Sequence, residues 1–222
     1  MGFTGIMLPD IKAVIFDFGG VITSSPFDAF ARFEAERGLP AGIIRQINAT
    51  NPDSNAWAQF ERSEIDGAEF DRAFAAEAQN IGQSVTGNDV LALLSGDIRP
   101  RMVTALDTIK ASGRIIGCIT NNVPSGKGAG MASSSSKARA IAAILARFDH
   151  VIESSKAGIR KPDPRIYQMM CDAIATPAEH CIYLDDLGVN CKPAAALGMF
   201  AIKVVHEDQA LAALGDRLGL GL

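Results

Sequence analysis

The chain has 222 residues, 48% of them hydrophobic and 21% charged, with a formal net charge of −4. That is enough apolar material for one large domain, or for a core with a smaller insertion. The negative balance supplies no sequence-wide basic field for nucleic acid or anionic lipid, and no apolar run reaches the ~18–20 residues that span a bilayer. The opening MGFTGIMLPD has neither the charged nor the apolar region of a secretory signal, so a cytoplasmic protein is expected. Cys118, Cys171, Cys181 and Cys191 form no CxxC pair and read as reduced thiols, two of them inside apolar runs. His150, His180 and His206 are scattered singly, whereas zinc needs clustered ligands.

The first strong element is Lys12-Ala-Val-Ile-Phe-Asp17, a continuous apolar run closed by Phe18-Gly19-Gly20. Such a run, without alternation and bounded by glycine, predicts a strand buried on both faces. From Ser24 to Leu94 the rhythm changes. Apolar residues recur at helical spacing (Phe27, Phe30, Phe33; Phe60, Ile65; Phe70, Phe74; Val90, Leu91, Leu94), and Gly38-Leu39-Pro40 and Asn51-Pro52-Asp53 cut the stretch into short helices. After it come strand-like runs at Arg114–Thr120, Cys181–Asp185 and Phe200–Val205, with a weaker one at His150–Glu153. Amphipathic segments at Pro100–Ala111, Ser136–Arg147 and Pro164–Ile174 alternate with them. This order predicts an α/β fold with a central parallel sheet covered by helices on both faces. The expected division is an α/β core of residues 1–23 and 95–222 and an inserted all-helical lobe of residues 24–94. The string PSGKGAGMASSSS, Pro124–Ser136, reads as a mobile surface loop.

In open parallel sheets, ligands sit at the carboxyl ends of the strands. Those ends carry Asp17, then Thr120-Asn121-Asn122, then Asp185-Asp186, while Lys161 stands in GIRKPDPRIY at the start of a helix. Singly, each has an ordinary reading: a strand-end aspartate caps a turn, Thr120 caps a helix, Lys161 is a solvated loop charge. Together they point elsewhere. Carboxylates converging on one edge repel unless a cation lies between them, and an all-oxygen site suits Mg²⁺. A lysine and a hydroxyl beside them supply charge and hydrogen bonds for a phosphoryl group, and backbone amides at Thr120–Asn122 add donors where a helix begins.

The strings Asp17-Phe-Gly-Gly-Val21, Thr120-Asn121, Lys161-Pro-Asp-Pro and Asp185-Asp186 resemble, in order and spacing, the four motifs of the haloacid dehalogenase superfamily. The helical insert is similar to that superfamily's C1-type cap on a Rossmann-like core. More narrowly, TNN, ESSKAGIRKPDPRIY, YLDDLGVNCKPAAALGM and WAQFERSEI resemble the group that includes the phosphatase domain of soluble epoxide hydrolases and the hydrolase-like domain of acyl-CoA dehydrogenase family member ten. The resemblance implies a Mg²⁺-dependent phosphohydrolase acting on a small phosphorylated metabolite. By it, Asp17 is the nucleophile that forms an aspartyl-phosphate, Thr120 and Asn121 bind the phosphoryl group, and Lys161 stabilises charge on both. Asp186, Asp17 and the carbonyl of Gly19 hold Mg²⁺, with Asp185 beside them, and Asn190 positions Asp185 or a metal-bound water.

One position departs from the pattern. Phosphatases of the superfamily carry an aspartate two residues after the nucleophile as general acid and base; here Gly19 stands there. Glycine still offers its carbonyl to a metal, but it moves no proton, a contribution worth ~10²–10⁴ in rate. Substrates with good leaving groups, such as acyl or anomeric sugar phosphates, should suffer least. Two alternatives remain open: a catalytically impaired domain that binds a phosphorylated ligand or partner, and a metal-free 2-haloacid dehalogenase. Specificity should lie in the cap, where Trp57, Glu61 and Arg62 are the candidates and the adjacent Glu61-Arg62 reads as a solvated pair. A monomer or homodimer is expected.

Overall fold

The computed structural model describes residues 10–123, 132 and 134–222. The chain runs β1 (Ala13–Phe16), then helices α1 (Pro26–Glu36), α2 (Ile43–Ala49), α3 (Ala56–Glu61), α4 (Gly67–Asn80), α5 (Gly87–Leu91) and α6 (Pro100–Ala111). It continues β2 (Ile115–Thr120), α7 (Ser135–Leu145), β3 (His150–Glu153), α8 (Ser154–Ala157), α9 (Pro164–Ala173), β4 (Cys181–Asp185), α10 (Gly188–Leu197), β5 (Phe200–Lys203) and α11 (Glu207–Leu218). Five strands form one sheet in the order β3-β2-β1-β4-β5, and every pairing is parallel. None of the described helices is long and apolar enough to cross a membrane.

The continuous apolar run of β1 has the explanation expected of it, since all four residues are buried. Strand alternation sends Val14 and Phe16 to one face and Ala13 and Ile15 to the other. On the first face they join Met102, Leu106 and Ile109 of α6, Ile141 and Ile144 of α7, and Leu214 of α11. On the second they meet Ile166, Tyr167 and Met170 of α9 and Ala194 of α10. Helices thus cover both faces of the sheet, with β1 in the middle.

The five helices α1–α5 contain no strand and gather around their own apolar cluster of Phe30, Ile44, Phe60, Phe70, Phe74 and Val90. Phe60 stacks on Phe70 with ring centroids 4.7 Å apart, and Trp57 meets Phe70 edge-on at 5.4 Å. Where this segment leaves and rejoins the α/β part, Thr23 and Ile98 form a single antiparallel bridge.

Two expectations are corrected. Strand β5 stops at Lys203 rather than Val205; it is the sheet edge, Phe200 is 47% exposed, and Val205 points to solvent. The Gly/Ser string Pro124–Ser136 falls mostly on residues outside the described ones, but its end belongs to a helix. Ser134 caps α7, its hydroxyl accepting from the Lys137 N–H at 3.2 Å.

Candidate active site

The carboxyl edge of the sheet brings together the ends of β1, β2 and β4. Because β1 lies between the other two, Asp17 has Thr120 on one side and Asp185 on the other. The carboxylates of Asp17, Asp185 and Asp186 have ligand atoms within 4.8 Å of one another; no other described His, Cys, Asp or Glu side chains form such a group. The three histidines therefore lie outside it, and all four cysteines are free and buried.

Lys161 sits among these carboxylates, 1% exposed, with its ammonium 2.8 Å from Asp17 Oδ1 and 2.9 Å from Asp185 Oδ2. Burial opposes its charge, yet the two carboxylates outweigh burial and hold the ammonium well above its ordinary pKa. Asp17 Oδ1 also accepts the Phe18 N–H at 2.6 Å. Burial, then the neighbouring charges of Asp185 and Asp186, push the Asp17 carboxyl well up against the pull of Lys161. Asp186 is raised by burial and by Asp185, while the Ser25 hydroxyl, donating to its Oδ2 at 2.9 Å, works the other way.

Asp185 is held differently. The Leu187 N–H donates to Oδ1 at 2.8 Å, the Tyr183 hydroxyl to Oδ2 at 2.6 Å, Lys161 to Oδ2, and Asn190 Nδ2 to both oxygens at 3.1 Å. With both oxygens bonded by protein donors, Asp185 anchors Lys161, and Asn190 positions Asp185. Asp17 and Asp186 are the carboxylates left to meet a cation. Three clustered carboxylates against one ammonium, with oxygen donors only, fit Mg²⁺. The backbone of Gly20 makes this approach possible. Its φ is +78°, and a Cβ placed there would lie 2.1 Å from Asp186 Oδ2. A Cβ at Gly19 would meet nothing within 4 Å.

A cavity of about 550 Å³ opens over this edge. Asp17, Gly19, Thr120, Asn121, Lys161 and Asp186 line its floor, and Phe27, Phe30, Trp57 and Leu94 contribute an apolar wall from the helical segment. The Asn121 side chain clasps the backbone of Lys161, accepting its N–H at 2.8 Å and donating to its carbonyl at 3.0 Å. Of the predicted amide donors at Thr120–Asn122, that of Asn122 is already taken, and the expected helix start is missing among the described residues. No described helix starts there, α7 beginning only at Ser135, and the Asn122 N–H donates to Ser154 Oγ at 3.1 Å.

The cap candidates also separate. Trp57 and Glu61 line the cavity, while Arg62 does not. Glu61 and Arg62 are not a solvated pair: Glu61 is buried and Arg62 turns to Glu64, Nε to Oε1 at 2.7 Å. α3 ends at Glu61, so the two side chains leave in different directions. Glu61 accepts Trp57 Nε1 at 2.9 Å, Arg160 Nε at 2.5 Å and Asn121 Nδ2 at 3.4 Å. Burial pushes its carboxyl up, with Arg160 and the indole N–H pulling against it.

Sequence reasoning missed Tyr183, Ser25 and Arg160. Tyr183 had a signal, since it precedes Asp185 by two positions in a strand and so shares its face. Ser25, directly before Pro26, reads as a helix cap, but its bond to Asp186 has no local signature.

Residues 11–198 match the profile of the haloacid dehalogenase-like hydrolases. The chain belongs to this family. It is 33% identical over 216 residues to acyl-CoA dehydrogenase family member 10 of Mus musculus, covering 95% of this chain and 19% of that protein. Bifunctional epoxide hydrolase 2 of Sus scrofa is 30% identical over 223 residues, with 96% of this chain and 40% of that protein covered. This hydrolase chain thus spans less than half the length of those two relatives. It matches sesquiterpene phosphatase astK of Aspergillus oryzae nearly end to end, 29% identical over 207 residues, covering 90% of this chain and 93% of that one. Among solved structures, the haloacid dehalogenase family enzyme bt-2542 of Bacteroides thetaiotaomicron, in complex with magnesium and inorganic phosphate, superposes with a TM-score of 0.57 at 17% identity. The superposition covers 87% of this chain and 93% of that one.

Proposed function

We propose that this hydrolase is a Mg²⁺-dependent phosphatase that works through an aspartyl-phosphate on Asp17. The observation that carries the reading is the buried Lys161 held between Asp17 and Asp185, which places a fixed positive charge against the nucleophile. Asp17 Oδ1 is held by Lys161 and Phe18; among the described residues Oδ2 has no hydrogen-bond partner, and it is the oxygen that attacks phosphorus. An O–P bond forms, the P–O bond to the leaving group breaks, and the leaving oxygen keeps the electron pair. Water then attacks the aspartyl-phosphate, releasing inorganic phosphate and restoring Asp17. Thr120 hydrogen-bonds the phosphoryl oxygens through its hydroxyl. Asn121, whose side chain is occupied by Lys161, contributes its main-chain amide. Asp17, Asp186 and the Gly19 carbonyl would hold Mg²⁺, which when bound neutralises charge on the phosphoryl oxygens and carboxylates.

The helices of residues 24–94 act as a cap over this site. Their apolar wall supports a substrate whose leaving group is bulky and apolar, in keeping with the name of the Aspergillus relative. Gly19 supports a leaving group that departs with little protonation. The test is a screen of alkyl, aryl and isoprenoid phosphates with Mg²⁺, using Asp17→Asn as the blank. Phosphate release that disappears with Asp17→Asn and with EDTA is expected. Halide release from 2-haloacids that survives EDTA would overturn the reading.

A further inference from the structure

Arg160 stands where two cavities meet. The inner one holds Asp17, Lys161 and the apolar wall. An outer one of about 530 Å³ carries Arg62, Asp163 and Arg165, and Asp53, Arg160 and Pro162 line both. Two hydrogen bonds draw Arg160 across the gap to the helical segment, from Nε to Glu61 Oε2 at 2.5 Å and from Nη1 to the Pro52 carbonyl at 2.8 Å. The side chains of Arg160 and Glu61 are only 19% and 7% exposed, so the charged pair is sheltered and fixed at both ends. The next residue along the chain from Arg160 is Lys161, so the strap and the phosphoryl site are one peptide bond apart.

We propose that Arg160 is a specificity-determining residue: its strap to Glu61 and Pro52 walls the apolar inner cavity off from the charged outer one. The proposal rests on the phosphatase reading of the Asp17 site. A leaving group confined to the inner cavity gains about fourfold in affinity for each methylene it buries. A polar group at its far end gives up water against a lining that is mostly apolar, and is disfavoured. With the strap removed the two cavities join, and a long chain can set a polar end among Arg62, Asp163 and Arg165.

The test is calorimetric titration, with Mg²⁺, of butyl- and dodecylphosphonate and their ω-hydroxy counterparts. Wild type is compared with Arg160→Ala/Glu61→Gln, since removing Arg160 alone strands a buried carboxylate. In wild type, dodecylphosphonate should bind tighter than butylphosphonate, and the ω-hydroxydodecyl form about tenfold or more weaker than its parent. In the double variant that tenfold penalty should vanish, while the ratio between the two butyl probes stays put, whatever common factor affects all four. A common factor alone, with the long-chain penalty intact, overturns the partition, as does a wild type that binds the long pair equally well. A wild type that binds none of the phosphonates overturns the phosphatase reading, and the partition with it.

Discussion

At the carboxyl edge of the sheet, polar side chains hold one another; in the helices from Pro26 to Leu91, aromatic rings do. Asp185 takes donors from Leu187, Tyr183, Lys161 and Asn190, and each of these serves to fix the ammonium against Asp17. Phe60, Phe70, Phe74 and Trp57 instead contact one another through ring faces and edges. The first region depends on direction and charge, so losing one partner is costly. The second depends on volume. On the proposed phosphatase reading, the edge sets whether a phosphoryl group is transferred, and the helices set what it is transferred from.

That division can be broken by experiment, beginning with Asp17, the proposed nucleophile. Asp17→Asn should lower kcat by on the order of 10⁴–10⁶ for every phosphate ester alike; a loss confined to bulky substrates, read in initial rates, would move the chemistry off this strand. Gly19→Asp should act in the opposite sense. The open space at Gly19 accepts the new side chain, and an added proton donor should raise turnover of an alkyl phosphate by up to ~10²–10⁴ over that of an activated aryl phosphate. Equal gains for both would mean that leaving-group protonation does not limit this enzyme.

Lys161→Met probes the edge as structure. It leaves Asp17 and Asp185 buried without their cation, and should cost about 3–5 kcal/mol in urea unfolding. A loss under ~1 kcal/mol, the range of exposed pairs, would show that the edge does not depend on this charge. The smallest effect belongs to the helices. Trp57→Phe keeps the ring but removes the indole bond to Glu61, which retains Arg160 and Asn121. About 1 kcal/mol of stability should be lost, with the rate on a small aryl phosphate unmoved and selectivity among bulky esters shifted.

Much of the edge was legible in the sequence because its information is local. A continuous apolar run ends in Asp17, another in Thr120, another in Asp185, and strand ends in a parallel sheet share one side. What escaped was set by contacts between distant segments. Glu61 and Arg62 look like a surface pair until α3 ends between them and Arg160 arrives from the other part of the chain. The Asn122 amide looks available until Ser154, next to it only across β2 and β3, takes it. Nothing local in the sequence says that the Asn121 side chain grips the backbone of Lys161. Local pattern places groups at an edge; it does not say which of them are already engaged.

The central place of β1 also shapes the order of assembly. Ala13 pairs with Ile115 on one side and Cys181 on the other, so during synthesis the strand bearing Asp17 leaves the ribosome long before either neighbour exists. Until then it is a bare, wholly apolar strand with two open edges, the kind of segment that pairs with other chains. The strand that leads into Asp17, the residue on which the proposed chemistry turns, is therefore one that needs shielding from aggregation while the chain is being made.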